Sequence, residues 1–285
     1  MEEGEFKKDI AVAGLGLIGG SYARALRGLI TDRIFGIDID SRALDKATEC
    51  GVIDEGAVDA QAILHKSDIV IIALYPRDTI EFIKNNAGYF KPGAIITDTC
   101  GIKEAIIEAA RKYLPENVEF VGGHPMAGNE FQGFDAASLE LFVDTNYIIT
   151  PHDKNSEKGL KTVEKLAALI GCKRITRVEA EVHDRMMSLI SELPHMVAVS
   201  FANLAIGEKD VSAFIGRSFR DVTRVSVLNK KLWTQIFEMN NVNIIDRIEE
   251  MIYILQKMKN ALREQDEDSL QILFDNAAKG KRMIG

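Results

Sequence analysis

The sequence predicts an α/β fold, built as a doubly wound and mostly parallel sheet, followed by an all-helical part. Short apolar runs alternate with helical stretches up to about residue 178, which is typical of a parallel sheet covered by helices. A glycine-rich turn follows the first apolar run. Beyond residue 178 apolar residues recur at steps of three or four, the period of amphipathic helices. We therefore predict one domain over 1–178 and a second over 179–285.

Seven apolar runs are the predicted strands of the first domain. In chain order they are DIAVAGLG, RIFGID, SDIVIIALY, AIITDT, VEFVGGHP, NYIITP and CKRITRV. The third run is almost continuously apolar, as in a strand that is buried on both faces. Helices are predicted between most of them; in SRALDKATECG, Ser41 supplies the N-terminal cap and Gly51 ends the helix.

The second domain is predicted to be helical throughout. The stretch VHDRMMSLISELPHMVAVSFANLAIG has a helical period but contains Pro194, which kinks a helix and here presents His195 at the break. From Leu232 to Leu262 the apolar residues form one stripe, which predicts a single long amphipathic helix. This stripe is long for a small helical domain to cover alone, so we predict a homodimer built by this domain.

The composition argues against several classes of protein. The chain has 285 residues, is 46% hydrophobic and carries a formal net charge of −8, an acidic balance unlike that of nucleic-acid-binding proteins. The cysteines Cys50, Cys100 and Cys172 are far apart and suggest neither a disulfide framework nor a metal site. The N-terminal residues do not resemble a signal peptide, and no apolar run approaches the ~18 residues of a membrane span. We expect a cytoplasmic protein with no metal and no membrane partner.

The turn in AVAGLGLIGGS has the spacing of a dinucleotide-binding loop. Gly14, Gly16 and Gly19 form a G-x-G-x-x-G motif between a predicted strand and a predicted helix, the context that the motif requires. Asp38 ends the next strand, 24 residues after Gly14, where a carboxylate binds the ribose hydroxyls of NAD+ and repels the 2′-phosphate of NADP+. The motif therefore predicts a Rossmann-type NAD site, the alternative being a glycine turn without a ligand. Within the loop, the residues expected beside the cofactor also include Leu15, Leu17 and Ile18.

Three further strand ends carry residues suited to a site. Pro76 follows the third apolar run and rigidifies a loop that would border the cofactor. Thr99 and Cys100 lie in TDTCGIK, and His124 and Glu130 lie in GGHPMAGNE. In a parallel sheet these ends meet at the edge that holds the glycine loop, which places His124 beside the nicotinamide. The alternatives are a structural turn for His124 and, favoured for Cys100, a buried packing role.

The helical domain offers cationic residues that could bind a carboxylate. Arg217, Arg220 and Arg224 lie in GRSFRDVTRVSV, and arginine is suited to bidentate capture of carboxylates. For at least one of the three, a surface ion pair is the better interpretation. His195 is as well explained by a pocket role as by core packing.

These motifs together resemble the prephenate dehydrogenase family, which includes arogenate dehydrogenases. GLGLIGGS, TDTCGIK, GGHPMAG, LPH and FRDVTR occur in the family's order and spacing, over about residues 9–265. GGHPMAG followed some seventy residues later by LPH is much more specific than the glycine loop. The resemblance implies a dinucleotide-binding domain joined to a helical dimerisation domain. It also implies oxidation of prephenate by NAD+ or NADP+ to 4-hydroxyphenylpyruvate and CO2, in tyrosine biosynthesis.

The resemblance also implies roles for individual residues. His124 takes the position of the histidine that hydrogen-bonds the ring 4-hydroxyl of the substrate, and His195 that of a second pocket histidine. Arg224 takes the position of the arginine that binds a substrate carboxylate. Glu130 stands where the family has an acid near the pocket entrance.

The resemblance also concerns three residues of the helical domain, and at one position the chain departs from the family. Asp184 and Arg220 stand where the family can have an ion pair, and Trp233 matches an aromatic residue near the dimer contact. Several members have a serine in the TDTCGIK loop, where this chain has Gly101. A hydroxyl bridge from the substrate to the nicotinamide ribose would then come from Thr99, Cys100 or water, or be absent.

The reaction explains the choice of a histidine at position 124. Hydride leaves ring C4 of prephenate while the hydroxyl proton must be accepted, a task for which neutral imidazole, with a pKa near 6.5, is suited. Three other interpretations stay open: an arogenate dehydrogenase, a different hydroxy-acid dehydrogenase, and a non-catalytic NAD-binding regulatory protein.

Overall fold

A computed structural model of the chain describes residues 7–29, 33–129 and 131–284. The described part of the chain forms an eight-stranded sheet in the order β3-β2-β1-β4-β5-β6-β7-β8. The strands are β1 Ile10–Ala13, β2 Ile34–Ile37, β3 Glu55–Ala57, β4 Ile69–Ile72, β5 Ile95–Asp98, β6 Glu119–Pro125, β7 Asn146–Thr150 and β8 Arg174–Arg177. All neighbouring pairs are parallel except β6 with β7, so the predicted mostly parallel sheet is confirmed. The short edge strand β3 is absent from the sequence prediction.

Helices connect these strands and cover both faces of the sheet. They are α1 Leu17–Leu26, α2 Ser41–Glu49, α3 Gln61–Leu64, α4 Pro76–Asn86, α5 Glu104–Tyr113 and α6 Glu157–Leu169. The expected cap of α2 is wrong by one residue, because it is the Asp40 carboxylate that accepts the Arg42 N–H, at 3.1 Å. Gly51 follows α2 with a φ of +67°, a conformation that favours glycine.

The core consists of two apolar layers, one on each face of the sheet. Alternate residues of one strand enter different layers: Ile10 and Val12 of β1 pack with α1 and α6, whereas Ala11 and Ala13 pack with α4 and α5. Both layers exclude water, which explains why the strand sequences are apolar almost without interruption. The sheet is therefore a rigid base whose carboxyl ends can position functional loops.

The part of the chain after β8 is helical in the described residues. Its helices are α7 Ala180–Met187, α8 Leu193–Ala205, α9 Val211–Phe214, α10 Arg217–Thr223, α11 Lys230–Met239, α12 Asn241–Glu264 and α13 Glu267–Ile284. A π-helical turn, Ser188–Glu192, joins α7 to α8, and Pro194 lies in the first turn of α8. The expected break before His195 is therefore present, as a π-helical turn at the proline.

The single long helix expected from Leu232 to Leu262 is wrong. The chain breaks at Asn240, whose φ of −110° and ψ of 25° leave the helical region. The Asn240 side chain is buried and donates to the Asp184 carbonyl, at 2.9 Å, and to the Glu192 carboxylate, at 2.8 Å. These buried polar contacts define the junction between α11 and α12, and a helical periodicity does not report them.

The helical half contacts the α/β half beside the carboxyl ends of the strands. The Arg77 N–H donates to the Gln235 side chain at 3.0 Å, and Lys231 pairs with Asp78 at 2.8 Å. These contacts link the start of α4 to α11. No helix in the described ranges is long and apolar enough to cross a membrane.

Candidate active site

The glycine loop joins β1 to α1 at the point where the strand order reverses, since β1 lies between β2 and β4. Gly14 has a φ of +88°, and a Cβ there would lie 2.5 Å from the Ala73 carbonyl oxygen. A Cβ at Gly19 would collide with the Gly14 carbonyl oxygen, so this glycine allows the helix to approach the strand. Gly16 faces open space instead. The three glycines thus have the separate uses expected of them in a dinucleotide-binding turn.

The loop also presents the start of a helix to the open space. No side chain caps the first turn of α1, which begins at Leu17 and Ile18, so its N–H groups are available for a phosphate. Asp38 follows β2 and accepts the Leu15 N–H at 2.7 Å through Oδ2, which fixes the turn. Its Oδ1 accepts the Asp40 N–H at 2.9 Å. These residues fit a dinucleotide: an open cradle at Gly16, an uncapped helix start and a carboxylate at the next strand end.

The next two strand ends border this cradle. Pro76 is buried and begins α4, directly after the loop that follows β4. Thr99 is half-buried after β5, and its N–H donates to the Ile72 carbonyl of β4 at 3.1 Å. Both residues lie at the edge where the sequence places them, although their contact with a cofactor stays a prediction.

A buried ion pair supports the loop after β5. Lys103 and Asp98 are fully buried and paired, and the Lys103 ammonium also donates to the Gly123 carbonyl at 2.6 Å. The Gly123 N–H donates to Asp98 at 3.1 Å. Both backbone polar groups of Gly123, the residue before His124, are therefore bound by this ion pair, the N–H by Asp98 and the carbonyl by Lys103. Cys100 packs below the loop, and burial raises the pKa of its thiol to about 12, which suits a packing residue better than a nucleophile.

His124 lies in the last part of β6, beyond its pairing with β5. The opposite strand there is β7, and His124 pairs with Ile148 in the antiparallel register. Protein atoms surround most of the ring, and this desolvation, with smaller contributions from His183 and then Lys103, holds its pKa well below the usual range. The imidazole is therefore neutral at neutral pH and able to accept a proton.

Sequence reasoning missed His183, which contacts His124 directly. His183 lies on α7, is 1% exposed, and its Nε2 is 2.9 Å from His124 Nδ1. On its other side His183 Nδ1 is 2.7 Å from Asp184 Oδ1. The only signal in the sequence is the dipeptide His-Asp in VHDRMM, and its partner lies 59 residues away in the chain.

The expected ion pair between Asp184 and Arg220 is wrong. Asp184 is buried and accepts the backbone N–H groups of Lys103, at 2.8 Å, and Glu104, at 3.0 Å, in addition to His183. It therefore caps α5 from the other half of the molecule, while Arg220 is exposed on α10. In this structure the Asp184 carboxylate therefore satisfies unpaired N–H groups at the start of α5 instead of pairing with an arginine.

His195 lies on α8 and Trp233 on α11, both in the helical half. His195 Nδ1 is 2.7 Å from the Ser191 carbonyl, so Nδ1 carries the proton and Nε2 is an acceptor. Its ring stacks on Trp233 with centroids 3.9 Å apart. Desolvation, and then the charge of Arg224, lower the pKa of His195. Trp233 thus packs on a candidate site residue, and its expected place near a dimer contact stays a prediction.

The three arginines of GRSFRDVTRVSV do not form one cluster. Arg217 is exposed and pairs with Asp221 at 3.6 Å, the surface ion pair expected for at least one of them. Arg224 follows α10, is exposed, and has no ion pair among the described residues. It is the arginine whose charge reaches His195. Glu130 lies outside the described residues, so its role stays a prediction.

Gly101 leaves space beside the His124 ring. A Cβ at this position would lie 3.7 Å from His124 Cε1, 3.8 Å from His124 Nε2 and 3.8 Å from Ile236 Cδ1. These are ordinary contact distances, so a Cβ fits there without displacing the ring. The Nε2 edge of His124 therefore faces the loop after β5 and the first turns of α11, at the carboxyl end of the sheet.

The fold and the site together define a dinucleotide-binding oxidoreductase: a glycine cradle at the switch point, and a neutral imidazole at a nearby strand end. Residues 22–176 match the family described as prephenate dehydrogenase, nucleotide-binding domain, and residues 179–276 match its dimerization domain. The chain belongs to the prephenate dehydrogenase family, which confirms the resemblance inferred from the motifs.

The relatives of this chain are named for more than one substrate. Prephenate dehydrogenase of Bacillus subtilis is 32% identical over 96% of this chain and 75% of its own length. Cyclohexadienyl dehydrogenase of Zymomonas mobilis is 31% identical over 96% of this chain and 95% of its own.

Solved structures of the family share the whole fold. Prephenate dehydrogenase from Aquifex aeolicus, in complex with hydroxyphenyl propionate and NAD+, has a TM-score of 0.88 at 27% identity, covering 99% of this chain and 100% of that chain. Synechocystis arogenate dehydrogenase has a TM-score of 0.84 at 27% identity, covering 97% of this chain and 100% of that chain. The comparisons therefore give the family and do not fix whether the substrate is prephenate or arogenate.

Proposed function

We propose that this protein catalyses the NAD+-dependent oxidative decarboxylation of prephenate to 4-hydroxyphenylpyruvate, a reaction of tyrosine biosynthesis. The observation that carries the proposal is His124: a neutral imidazole whose Nε2 edge faces the loop after β5, at the sheet edge that holds the glycine cradle. The helical half contributes His195 and Arg224, which are close enough for the charge of Arg224 to lower the pKa of His195. Such an arrangement suits an alcohol that loses a hydride and a proton.

Each residue has a distinct part in this proposal. His124 accepts the proton of the substrate's ring hydroxyl, since its lowered pKa leaves Nε2 unprotonated at neutral pH. NAD+, when bound, would accept the hydride from the ring carbon that bears this hydroxyl. Arg224 binds a carboxylate of the substrate, and His195 offers Nε2 as a hydrogen-bond acceptor beside it. Loss of CO2 then makes the ring aromatic and drives the reaction forward.

Electrostatics favour prephenate over arogenate. The two differ in the side chain, which is an α-keto acid carboxylate in prephenate and an amino acid, with an ammonium group beside the same carboxylate, in arogenate. The charge that acts on His195 is the cation Arg224. A cation attracts the carboxylates that both substrates carry and repels the ammonium group that only arogenate carries, so Arg224 favours prephenate.

The test is the rate of NADH or NADPH formation with prephenate and with arogenate, each supplied with NAD+ or NADP+. We expect kcat/KM to be highest with prephenate and NAD+. The His124→Asn protein, purified in the same way, shows whether a contaminating host enzyme contributes to the rate. Higher kcat/KM with arogenate would make the protein an arogenate dehydrogenase, and no turnover with either would contradict the proposal.

A further inference from the structure

Three side chains form a continuous hydrogen-bonded row behind the proposed site. The row runs from His124 Nδ1 to His183 Nε2, at 2.9 Å, and from His183 Nδ1 to Asp184 Oδ1, at 2.7 Å. His183 and Asp184 are 1% and 2% exposed, so water does not compete for these bonds. Only His124 reaches the open space, and it does so with its other ring nitrogen.

The direction of each hydrogen bond follows from Asp184. Its carboxylate already accepts two backbone N–H groups, from Lys103 and Glu104, so it acts as an acceptor toward His183 as well. His183 Nδ1 therefore carries a proton. Desolvation lowers the pKa of His183 and outweighs the attraction of Asp184, so the ring is neutral and its Nε2 is an acceptor. His124 must then donate from Nδ1, which leaves its own Nε2 without a proton.

We propose that His183 and Asp184 are positioning residues that hold His124 in the tautomer with Nδ1 protonated, so that Nε2 is the acceptor of the substrate proton. This inference deepens the proposed function and rests on it for the identity of the proton donor. In a catalytic triad, a carboxylate orients the imidazole that acts as the base. Here Asp184 orients His124 in the same way, through the second imidazole of His183. A histidine in the other tautomer would direct an N–H at the substrate hydroxyl and accept nothing.

The row also stabilises the positive charge that His124 acquires when it accepts the substrate proton. The proton from the ring hydroxyl goes to His124 Nε2 as the hydride leaves for NAD+ and a ring carbonyl forms. The carboxylate then leaves as CO2, its bonding electrons make the ring a phenolate, and the phenolate takes the proton back from His124. Until then His124 is an imidazolium that donates from Nδ1 to His183, whose own Nδ1–H is bound to the Asp184 carboxylate. The charged groups around the row are Lys103, which disfavours a positive charge on it, and Asp98 and Asp184, which favour one.

The tautomer can be observed directly by 15N NMR of protein labelled at histidine. The shifts of the two ring nitrogens distinguish a protonated from an unprotonated nitrogen, and the His124→Asn spectrum assigns the His124 signals. We expect the native protein to show His124 protonated at Nδ1 at neutral pH, without substrate. A spectrum with the proton on Nε2 overturns the inference, whatever the substrate proves to be.

Two substitutions at His183 separate positioning from packing. His183→Leu offers no acceptor, so the His124 signals should shift toward the Nε2-protonated form and kcat should fall roughly 10²-fold, the lower end of what a general base contributes. His183→Gln places an amide oxygen near Nδ1 and should retain the native tautomer, with kcat within about 10-fold of the native value. Native tautomer and native kcat in His183→Leu would overturn the inference.

A matched control is His65→Gln, because His65 is an exposed histidine whose Nδ1 contacts the Gln61 carbonyl of its own helical segment. This variant should change neither the His124 signals nor kcat. The native spectrum decides the tautomer even if a His183 variant does not fold. Because the spectrum requires no substrate, it also judges the inference separately from the proposed function, which fails only if neither prephenate nor arogenate is turned over.

Discussion

At the scale of single residues, the placement of His124 depends on the glycine before it. A Cβ at Gly123 would collide with the Tyr147 hydroxyl and lie 2.9 Å from the Asp98 carbonyl oxygen. The peptide N–H and carbonyl of Gly123 are bound by Asp98 and Lys103. Because breaking a buried ion pair leaves an uncompensated charge, at a cost of about 3–5 kcal/mol, the pair is a rigid support for the residue that follows.

Replacing His124 by asparagine should remove most of the turnover and little of the cofactor binding. Asparagine hydrogen-bonds a hydroxyl but accepts no proton, so kcat should fall by about 10²- to 10⁴-fold while the Kd for NAD+ is unchanged. In the native protein kcat should rise with pH through one ionisation. Since the pKa of His124 is lowered, this ionisation should lie below the ordinary imidazole value of about 6.5.

Measurements of kcat over a range of pH test for this rise, and the residual kcat of His124→Asn should not show it. If kcat of the variant rises with pH in the same way, another group is the base, and His195 would be the first to examine.

Arg224→Ala should weaken the binding of prephenate. Arg224 is exposed in this structure, so the expected loss is that of a hydrogen bond to a charged group, about 1.5–3 kcal/mol, or roughly a 10- to 150-fold rise in KM. The Kd for NAD+ should not change. Arg217→Ala is the matched control, because Arg217 is exposed on the same helix and already paired with Asp221. An equal rise in KM for both variants would contradict a specific role for Arg224.

Asp38→Ala should narrow the preference for NAD+ over NADP+. Its carboxylate repels a 2′-phosphate and binds the ribose hydroxyls in the proposed complex. The same side chain fixes the Leu15 N–H at 2.7 Å, so kcat/KM with NAD+ should also fall. The ratio of kcat/KM for the two cofactors is the measurement, and an unchanged ratio would remove Asp38 from cofactor selection. Exposed Asp45→Ala, on the helix that follows, is the control.

At the scale of secondary-structure elements, local sequence was informative wherever a pattern is short-range. Apolar runs predicted seven of the eight strands, and the glycine spacing predicted the cradle, because both depend on neighbouring residues. The contact of His124 with His183 joins residues 59 positions apart, and the cap of α5 by Asp184 joins positions 81 apart. No periodicity encodes such contacts. The break at Asn240 was missed for the same reason, since its partners lie on α7 and the π-helical turn.

Glu192 makes the π-helical turn sensitive to pH. Burial raises the pKa of its carboxyl to about 7, and its Oε2 has no hydrogen-bond partner among the described residues. A raised pKa means that the contribution to stability is complete below the unfolded pKa of about 4.5 and is lost as pH rises through about 7.

Glu192→Gln should therefore stabilise the protein at alkaline pH by roughly 2–3 kcal/mol, and scarcely at all near pH 4. The amide oxygen still accepts from Asn240, but no charge is buried. Urea unfolding at several pH values gives the difference in the free energy of unfolding. The exposed Glu249→Gln on α12 is the control. A difference that does not vary with pH would show that Glu192 is not buried as a titrating group.

At the scale of the whole molecule, the helical half exposes many large apolar side chains. On α12 and α13, Ile252 is 58% exposed, Leu255 55% and Phe274 60%. Within the described residues only Ile244 and Ala261 of α12 are buried. A helix that buries so little of its apolar surface within one chain indicates a further partner, and the match to a dimerization domain points to a second copy.

We expect a homodimer in solution. Sedimentation at micromolar concentration should give twice the mass of 31.6 kDa, and Leu255→Asp, which places a charge in the apolar face of α12, should shift the protein toward monomer. Val58→Asp introduces the same charge at an apolar residue of the α/β half that is 57% exposed, and it should leave the dimer intact. A native monomer at this concentration would contradict the expectation.

The cap that Asp184 places on α5 also sets an order of events during biosynthesis. A ribosome completes the sheet, the glycine cradle and His124 before it reaches residue 184. Until α7 emerges and docks, the N–H groups of Lys103 and Glu104 lack their carboxylate, and the His124 ring lacks its neighbour. The nascent chain therefore passes through a stage that has the nucleotide cradle but not an oriented base. In the proposed mechanism, the orientation of the base therefore arrives with α7, the first helix of the helical half to leave the ribosome.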